Sequence, residues 1–320
     1  KCLNCYTEIE KDAGGDYHRQ CIEAFYGTKE APVLPYLFSD MEKLAKEAAL
    51  LSVTVPGVQP KLSLGWIKDE LGDGHRNRLT IMNALKGHYI LKPPNQKYDQ
   101  MPENEHLTMK LAQLFKIDVV PAGLIRLASG ELCYLTKRID RNDDGSRIHM
   151  IDFLQILELE DKYKGTMETL GETIGELSVN TLFDKLRFFE LTLFSYITGN
   201  NDMHLKNFSM WLPETGWMLS PAYDLLNVKM ILSNDKEDLA LLLGGKKENL
   251  NKGYFDRFGA GLKLNEKQIS SVYKRLEKWL PDATEMIDRS FLTEERKTVY
   301  KELINRRVMI FSLLTDGAEA

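Results

Sequence analysis

The sequence predicts an α+β protein with two lobes, a β-rich half followed by a mainly helical half. Residues 52–66, 88–94 and 119–140 carry β-branched and alternating apolar residues bounded by proline, glycine or serine turns, a pattern typical of strands. Residues 186–200 are apolar nearly all round, as in a helix buried at the centre of a domain. Residues 265–317 alternate charged and apolar residues at helical spacing.

Composition limits the class of protein. The 320 residues are 43% hydrophobic and 28% charged, which excludes disordered, collagen-like and disulfide-dense chains. The net charge of 42 − 47 = −5 argues against direct binding of nucleic acid. No apolar run approaches the roughly 18–20 residues that cross a bilayer, and the first residues show no signal region. We therefore expect a cytoplasmic protein with no membrane partner.

The first segment, residues 1–30, carries a cysteine and histidine pattern. Cys2 and Cys5 form C-x2-C, and His18 and Cys21 form H-x2-C after a spacer of twelve residues, 6 to 17. This spacing suits a closed, structural zinc site with three cysteines and one histidine. The alternatives are two independent pairs of reduced cysteines, or a redox C-x2-C.

The β-rich half offers a lysine and an acidic partner. Lys92 lies in the predicted strand 88–94, and the helix predicted over 101–117 carries Glu105 near its start. Such a pair fixes the α/β-phosphates in protein kinases. Glu103 competes for the same role, and the alternative for Lys92 is a solvated residue on an edge strand.

The helical half carries the sharpest motif, Asp202-x4-Asn207. Kinase catalytic loops use this spacing, with the aspartate accepting the proton of the attacking hydroxyl and the asparagine holding Mg²⁺. Asp224 follows 224 − 207 = 17 residues later, after a predicted short hairpin, and is placed as a second Mg²⁺ ligand. The alternative is that all three residues cap helices or turns.

Seven segments together resemble the HipA family of serine/threonine kinases, the toxins of bacterial toxin–antitoxin systems. In chain order they are SVTVPGVQPK, ILKPP, PENEHLTMKLA, LTKRIDR, IHMIDFLQIL, GNNDMHLKNFS and LSPAYDLL. The resemblance implies a two-lobed, protein-kinase-like fold that binds ATP and Mg²⁺ between the lobes. The domains would be the Cys/His segment at 1–30, a β-rich N-lobe with a phosphate-binding loop at 31–147, and a helical C-lobe with a catalytic loop at 148–320.

The resemblance also implies residue roles. Asp202 would be the catalytic base, Asn207 and Asp224 the Mg²⁺ ligands, and Lys92 the phosphate-binding lysine held by Glu105. The remaining predicted contacts of the nucleotide are Thr54, Val55, Gly57, Val58, Gln59 and Lys61 in the loop, Tyr134, Leu135 and Thr136 in the hinge, and His204 and Lys206 in the catalytic loop. His204 and Lys206 would orient the catalytic loop or meet phosphate.

The loop also contains the predicted site of self-modification. By position Thr54 matches a serine that the family autophosphorylates, and Ser52 is its neighbour on the same strand face. Threonine in place of serine leaves open whether Thr54, Ser52 or both are modified.

The same resemblance implies partners. We expect an antitoxin with a DNA-binding helix-turn-helix, and a protein substrate such as an aminoacyl-tRNA synthetase or another translation-related protein. The chain resembles the short, HipT-like subclass, in which the missing N-terminal subdomain is a separate small protein. Two alternatives remain: a nucleotide-binding scaffold or co-repressor that acts through a DNA-binding antitoxin, and a kinase for small molecules.

Overall fold

The computed structural model of the chain describes residues 1–10, 15–41, 43–44, 61–67, 78–82, 87–142 and 144–312. Its backbone contacts divide the chain into two compact units. The first comprises residues 1–106, 120–147 and 289–291, and the second comprises residues 107–119, 148–288 and 292–320. The first contains a five-stranded sheet and the second a three-stranded sheet among helices, which confirms the α+β class.

The first unit is built on an antiparallel sheet in the order β2-β1-β3-β5-β4. Its strands are β1 (Leu62–Ile67), β2 (Arg78–Ile81), β3 (Tyr89–Lys92), β4 (Ala122–Arg126) and β5 (Leu132–Lys137). The helices are α1 (Arg19–Tyr26) and α2 (Met101–Leu114), and the boundary between the units falls inside α2.

The two faces of this sheet have different roles. One face packs Leu91 and Leu135 against Phe25 of α1 in an apolar core. The approach is close, because a Cβ at Gly123 would lie 3.1 Å from the Phe25 ring. Since side chains alternate along a strand, Lys92 projects from the opposite face. The core comprises Phe25, Tyr26, Leu34, Met41, Leu62, Leu64, Leu79, Tyr89, Leu91, Ile125, Leu127, Cys133 and Leu135.

The second unit is mainly helical. Its helices are α3 (Phe153–Ile156), α4 (Met167–Leu177), α5 (Thr181–Thr198), α6 (Lys252–Gly261), α7 (Glu266–Arg289) and α8 (Glu294–Met309), with a 3₁₀ helix at Leu205–Asn207. An antiparallel sheet of β6 (His149–Asp152), β7 (Ser209–Leu212) and β8 (Met218–Leu219) has the order β6-β7-β8.

Helix α5 is buried and ends at a required glycine. Every residue of α5 from Phe188 to Thr198 is buried. Gly199 then adopts a left-handed conformation with φ of 72°, where a side chain is disfavoured. A Cβ there would also lie 2.7 Å from Leu303. The glycine therefore turns the chain sharply into the segment that carries Asp202.

A buried carboxylate joins α5 to the β7–β8 hairpin. Asp184 is fully buried and accepts hydrogen bonds from Ser178 Oγ at 2.7 Å and from the Leu219 backbone N–H at 2.8 Å. Arg187 donates to Asp184 at 3.1 Å and to the Leu219 carbonyl at 2.8 Å. This network fixes the strand that leads to Asp224.

Most predicted elements that fall in the described residues are confirmed. The strand within 88–94, the helix within 101–117 and the pair of strands within 119–140 are present as β3, α2, and β4 with β5. A further helix begins at residue 38, and Val33 before it forms a bridge with Arg78. Residues 52–60 of the predicted strand pattern lie outside the described residues, and the remainder forms β1, which pairs with β2 and β3. None of the helices in the described ranges is long and apolar enough to span a membrane.

Candidate active site

Lys92 and Glu105 form a buried ion pair in the first unit. Lys92 ends β3, and Glu105 lies in the second turn of α2. Nζ and Oε1 are 2.6 Å apart, and the two side chains are 5% and 2% exposed. The alternative of a solvated lysine on an edge strand is wrong, because β3 lies between β1 and β5. Each charge compensates the other, so replacing either residue would remove the ion-pair partner of a buried charge.

The predicted hinge residues lie on β5 beside Lys92. Tyr134 pairs in register with Lys92, whose ammonium lies 5.4 Å from the Tyr134 ring centroid. Thr136 shares this face by strand alternation, and its hydroxyl donates to the Pro121 carbonyl at 3.1 Å. Leu135 instead projects into the apolar core on the other face. Only Tyr134 and Thr136 therefore share the Lys92 face.

Most of the predicted phosphate-binding loop lies outside the described residues, so the roles of its members stay predictions. These members are Ser52, Thr54, Val55, Gly57, Val58 and Gln59. Lys61 is described, and it lies half-buried directly before β1.

The Asp202-x4-Asn207 motif forms a compact loop in the second unit. The Asn207 side-chain nitrogen donates to the Asp202 backbone carbonyl at 2.8 Å, which fixes the amide orientation. No described residue donates a hydrogen bond to Asn207 Oδ1, so this oxygen is available as a ligand. The alternative that these residues only cap turns explains the hydrogen bond of the Asn207 amide nitrogen. It does not explain the Asp202 carboxylate, which caps no helix.

Tyr163 contacts the predicted base directly. Its hydroxyl donates to Asp202 Oδ1 at 2.9 Å, while the Asp202 side chain stays 43% exposed. The Lys162 and Lys247 ammonium groups lie 4.8 Å and 5.8 Å from the Tyr163 ring centroid. Sequence analysis missed Lys162 and Tyr163 because nothing local in their segment links them to residues about forty positions away.

His204 is buried beside the base and braces the loop. Its Nε2 lies 2.8 Å from the Lys162 ammonium and 3.8 Å from Asp202 Oδ1. Burial lowers the pKa of His204, the Asp202 and Asp224 charges oppose this, and Lys162 adds to it. A neutral ring that accepts from Lys162 at Nε2 fits both observations. Of its two predicted roles, this burial favours orienting the loop over contacting phosphate.

Lys206 and Asp224 complete the set of predicted residues. The Lys206 side chain makes no hydrogen bond or ion pair with the described part of the chain, so its ammonium can meet an anion. Its carbonyl accepts from the Tyr223 hydroxyl at 3.0 Å, which ties the residue before Asp224 to the catalytic loop. Asp224 has a φ of 60°, a sparsely populated conformation for a residue other than glycine. Such strain concentrates at functional sites.

The donor set of this loop suits magnesium. Asn207 offers an amide oxygen and Asp224 a carboxylate, the hard oxygen ligands that Mg²⁺ prefers. The Tyr223 hydroxyl donates to the Lys206 carbonyl at 3.0 Å, which ties the residue before Asp224 to the residue before Asn207. The residues therefore fit the metal that the sequence predicts.

The structure also brings the N-terminal cysteine and histidine residues together. The ligand atoms of Cys2, Cys5, His18 and Cys21 all lie within 4.8 Å of one another. Burial alone would raise the pKa of Cys5, but hydrogen bonds with Thr7, Cys2 and His18 outweigh it and lower this pKa to about 6. Burial raises the pKa of Cys21 to about 12. All four cysteines of the chain are described, and each is a free thiol.

Comparison with known proteins places this fold in a class. A chain in the solved complex of HipA, HipB and operator DNA from Shewanella oneidensis superposes on this chain with a TM-score of 0.65 at 22% sequence identity. The match covers 80% of this chain and 64% of that solved chain. The fold is thus that of the HipA kinases.

Sequence comparison then gives the family. A model of the HipA-like C-terminal domain matches residues 53–284, so the chain belongs to this family. A putative kinase of Haemophilus influenzae is 27% identical, with 89% of each chain covered. The serine/threonine-protein kinase toxin HipA of Shewanella oneidensis is 26% identical over 72% of this chain, which spans 56% of the length of that relative.

Proposed function

We propose that the protein is a serine/threonine kinase that uses ATP and Mg²⁺. The observation that carries this proposal is the catalytic loop, in which the Asn207 amide is anchored to the Asp202 carbonyl and the Asp202 carboxylate stays accessible. Membership of the HipA-like family and the buried Lys92–Glu105 pair support it.

The chemistry follows from these positions. Lys92, held by Glu105, neutralises the α/β-phosphates of ATP. Asp202 accepts the proton of a serine or threonine hydroxyl, whose oxygen attacks the γ-phosphorus while the bond to ADP breaks. Asn207 and Asp224 would hold Mg²⁺, which would supply charge neutralisation at the phosphate oxygens. Phosphoryl transfer needs alignment and charge compensation more than covalent help from the protein, and these residues would supply the charge compensation.

We extend the proposal to biology and regulation. The chain acts as a growth-arresting toxin, modifies a translation-related protein such as an aminoacyl-tRNA synthetase, and is held by a DNA-binding antitoxin. Support comes from the relatives named as a toxin kinase and as a complex of HipA, HipB and operator DNA. Autophosphorylation at Ser52 or Thr54 would regulate it.

Intact mass measurement tests the kinase proposal. The full chain is incubated with ATP and Mg²⁺, and modified peptides are then mapped. We expect a gain of one phosphate mass or more in the wild type, with Ser52 or Thr54 as the modified residue. Asp202→Asn should show none, because amide nitrogen and oxygen cannot accept the hydroxyl proton as a carboxylate does.

Asp282→Asn is the matched control. Asp282 is exposed on α7, and this variant should behave as wild type. A label that appears equally in Asp202→Asn would exclude Asp202 as the base. Transfer to a metabolite with none to protein would favour the small-molecule alternative, and transfer to neither would favour the scaffold.

A further inference from the structure

We propose that Cys2, Cys5, His18 and Cys21 bind one zinc ion, and that this ion fastens their segment to the β-sheet and to the helix that carries Glu105. The inference is independent of the kinase activity, since it concerns metal content and stability.

The orientation of His18 is the first argument. Its Nδ1 lies 3.3 Å from Cys5 Sγ, and its Nε2 lies 2.9 Å from the Glu8 backbone carbonyl. A carbonyl only accepts, so Nε2 carries the proton and Nδ1 presents its lone pair towards the sulfurs. Zinc-binding histidines show this arrangement, with the second ring nitrogen donating to a carbonyl or carboxylate.

The size and chemistry of the cluster agree with zinc. Zn–S bonds of about 2.3 Å place tetrahedral ligand atoms about 3.8 Å apart, and the four atoms here all lie within 4.8 Å. Three thiolates and one imidazole fill all four positions. The site is therefore closed, which is the mark of a structural zinc rather than a catalytic one.

Contacts of α1 attach the cluster to the sheet. His18 is the N-cap of α1 and Cys21 lies in its first turn, while Phe25 at the other end enters the core of the sheet. The Tyr17 hydroxyl donates to the Leu124 carbonyl on β4. An isolated helix of eight residues is marginal in water, so α1 needs support at its free end.

A second attachment reaches α2. Tyr6 directly follows Cys5, is 1% exposed and has a φ of 66°. Its hydroxyl lies 2.7 Å from His106 Nδ1, and the two rings pack edge to face at 5.2 Å. His106 is the neighbour of Glu105, the partner of Lys92. An ion that fixes Cys5 therefore also supports the helix turn that holds the phosphate-binding lysine.

Metal analysis of the purified full chain tests the proposal. We expect one zinc per wild-type chain, and replacement by Co²⁺ should produce thiolate charge-transfer and tetrahedral ligand-field absorption. Cys5→Ser and His18→Ala should lose the metal, whereas His18→Cys should retain it by restoring four ligands. Cys133→Ala is the matched control, because Cys133 lies in the sheet core outside the cluster, and it should retain the zinc.

Thermal unfolding tests the fastening role. A strong chelator should lower the unfolding temperature of the wild type and leave that of Cys5→Ser unchanged. The zinc site would be overturned if the purified wild-type chain contained no zinc and also failed to give the Co²⁺ spectrum. This outcome depends on the wild type alone, so it holds even if every ligand variant fails to fold. Zinc that is bound but whose removal leaves the unfolding temperature unchanged would overturn the fastening.

Discussion

The Tyr163 hydroxyl donates to Oδ1 of Asp202 at 2.9 Å, which joins a loop before α4 to the predicted catalytic base. It is the single side-chain hydrogen bond that the Asp202 carboxylate accepts from the part of the chain that the structure describes. His204 is 3.8 Å away, beyond hydrogen-bond distance. Tyr163 therefore sets the orientation of a half-exposed carboxylate that has no other restraint from side chains.

Removing this hydroxyl should slow phosphoryl transfer. A hydrogen bond to a charged group contributes about 1.5–3 kcal/mol of stabilisation. The contribution is smaller at a site that is partly exposed to water. For Tyr163→Phe we expect roughly a three- to tenfold lower kcat, since about 1.4 kcal/mol corresponds to tenfold. The KM for ATP should not change. Steady-state kinetics measure kcat for Tyr163→Phe and for the control variant Tyr98→Phe. A wild-type kcat in both variants would contradict this role of Tyr163.

The Lys92–Glu105 pair predicts an asymmetric effect on stability. Lys92→Met removes the ammonium that lies 2.6 Å from the buried Glu105 carboxylate, which costs about 3–5 kcal/mol in the free energy of unfolding. The double variant Lys92→Met, Glu105→Met should recover much of this loss, because neither charge remains. Urea unfolding measures both, with exposed Lys29→Met as control. Equal stability of Lys92→Met and Lys29→Met would rule out the buried pair.

The lowered pKa of His204 predicts a loss of stability in acid. Burial is the main cause of this lowering. An unfolded histidine titrates near about 6.5, so below this pH the unfolded chain binds a proton that the folded chain resists. The free energy of unfolding should therefore fall as the pH drops below about 6.5.

The variant His204→Gln isolates this contribution. Its stability should fall less than that of the wild type between about pH 7.5 and 5.5, because the titrating group is absent. Urea unfolding at both values measures the difference. Identical losses would show that His204 is not protected from protonation.

Replacing Asp184 should destabilise the β7–β8 hairpin that precedes Asp224. Asp184→Ala removes the acceptor of the Leu219 N–H, the Ser178 hydroxyl and Arg187, all of which are held inside the fold. We expect a loss of about 3–5 kcal/mol in the free energy of unfolding, measured in urea. Asp282→Ala, on an exposed face of α7, should change it by less than about 0.5 kcal/mol.

Local patterns predicted the elements that local physics determines. Helices α2 and α5 and the strands β3, β4 and β5 carry their own periodicity and turn residues, so each could be placed without tertiary information. The Cys/His spacing likewise predicted the residues that the fold assembles into one cluster.

What sequence analysis missed depends on contacts far apart in the chain. β2 is a four-residue strand whose position is set by pairing with β1 and by a bridge between Val33 and Arg78. Tyr163 approaches Asp202 across 39 residues, and no local pattern marks such a contact. The pairing of Tyr134 with Lys92 likewise follows from the sheet register, which resemblance alone did not provide.

Binding of ATP is the most direct test of the proposed site. Calorimetric titration of the full-length Asp202→Asn variant, which should keep bound nucleotide intact, is compared with and without Mg²⁺. We predict saturable ATP binding that weakens when Mg²⁺ is withheld. In the double variant Asp202→Asn, Asp224→Asn, the affinity for ATP should no longer depend on Mg²⁺. Failure of both Asp202→Asn and wild-type chain to bind ATP with Mg²⁺ present would contradict it.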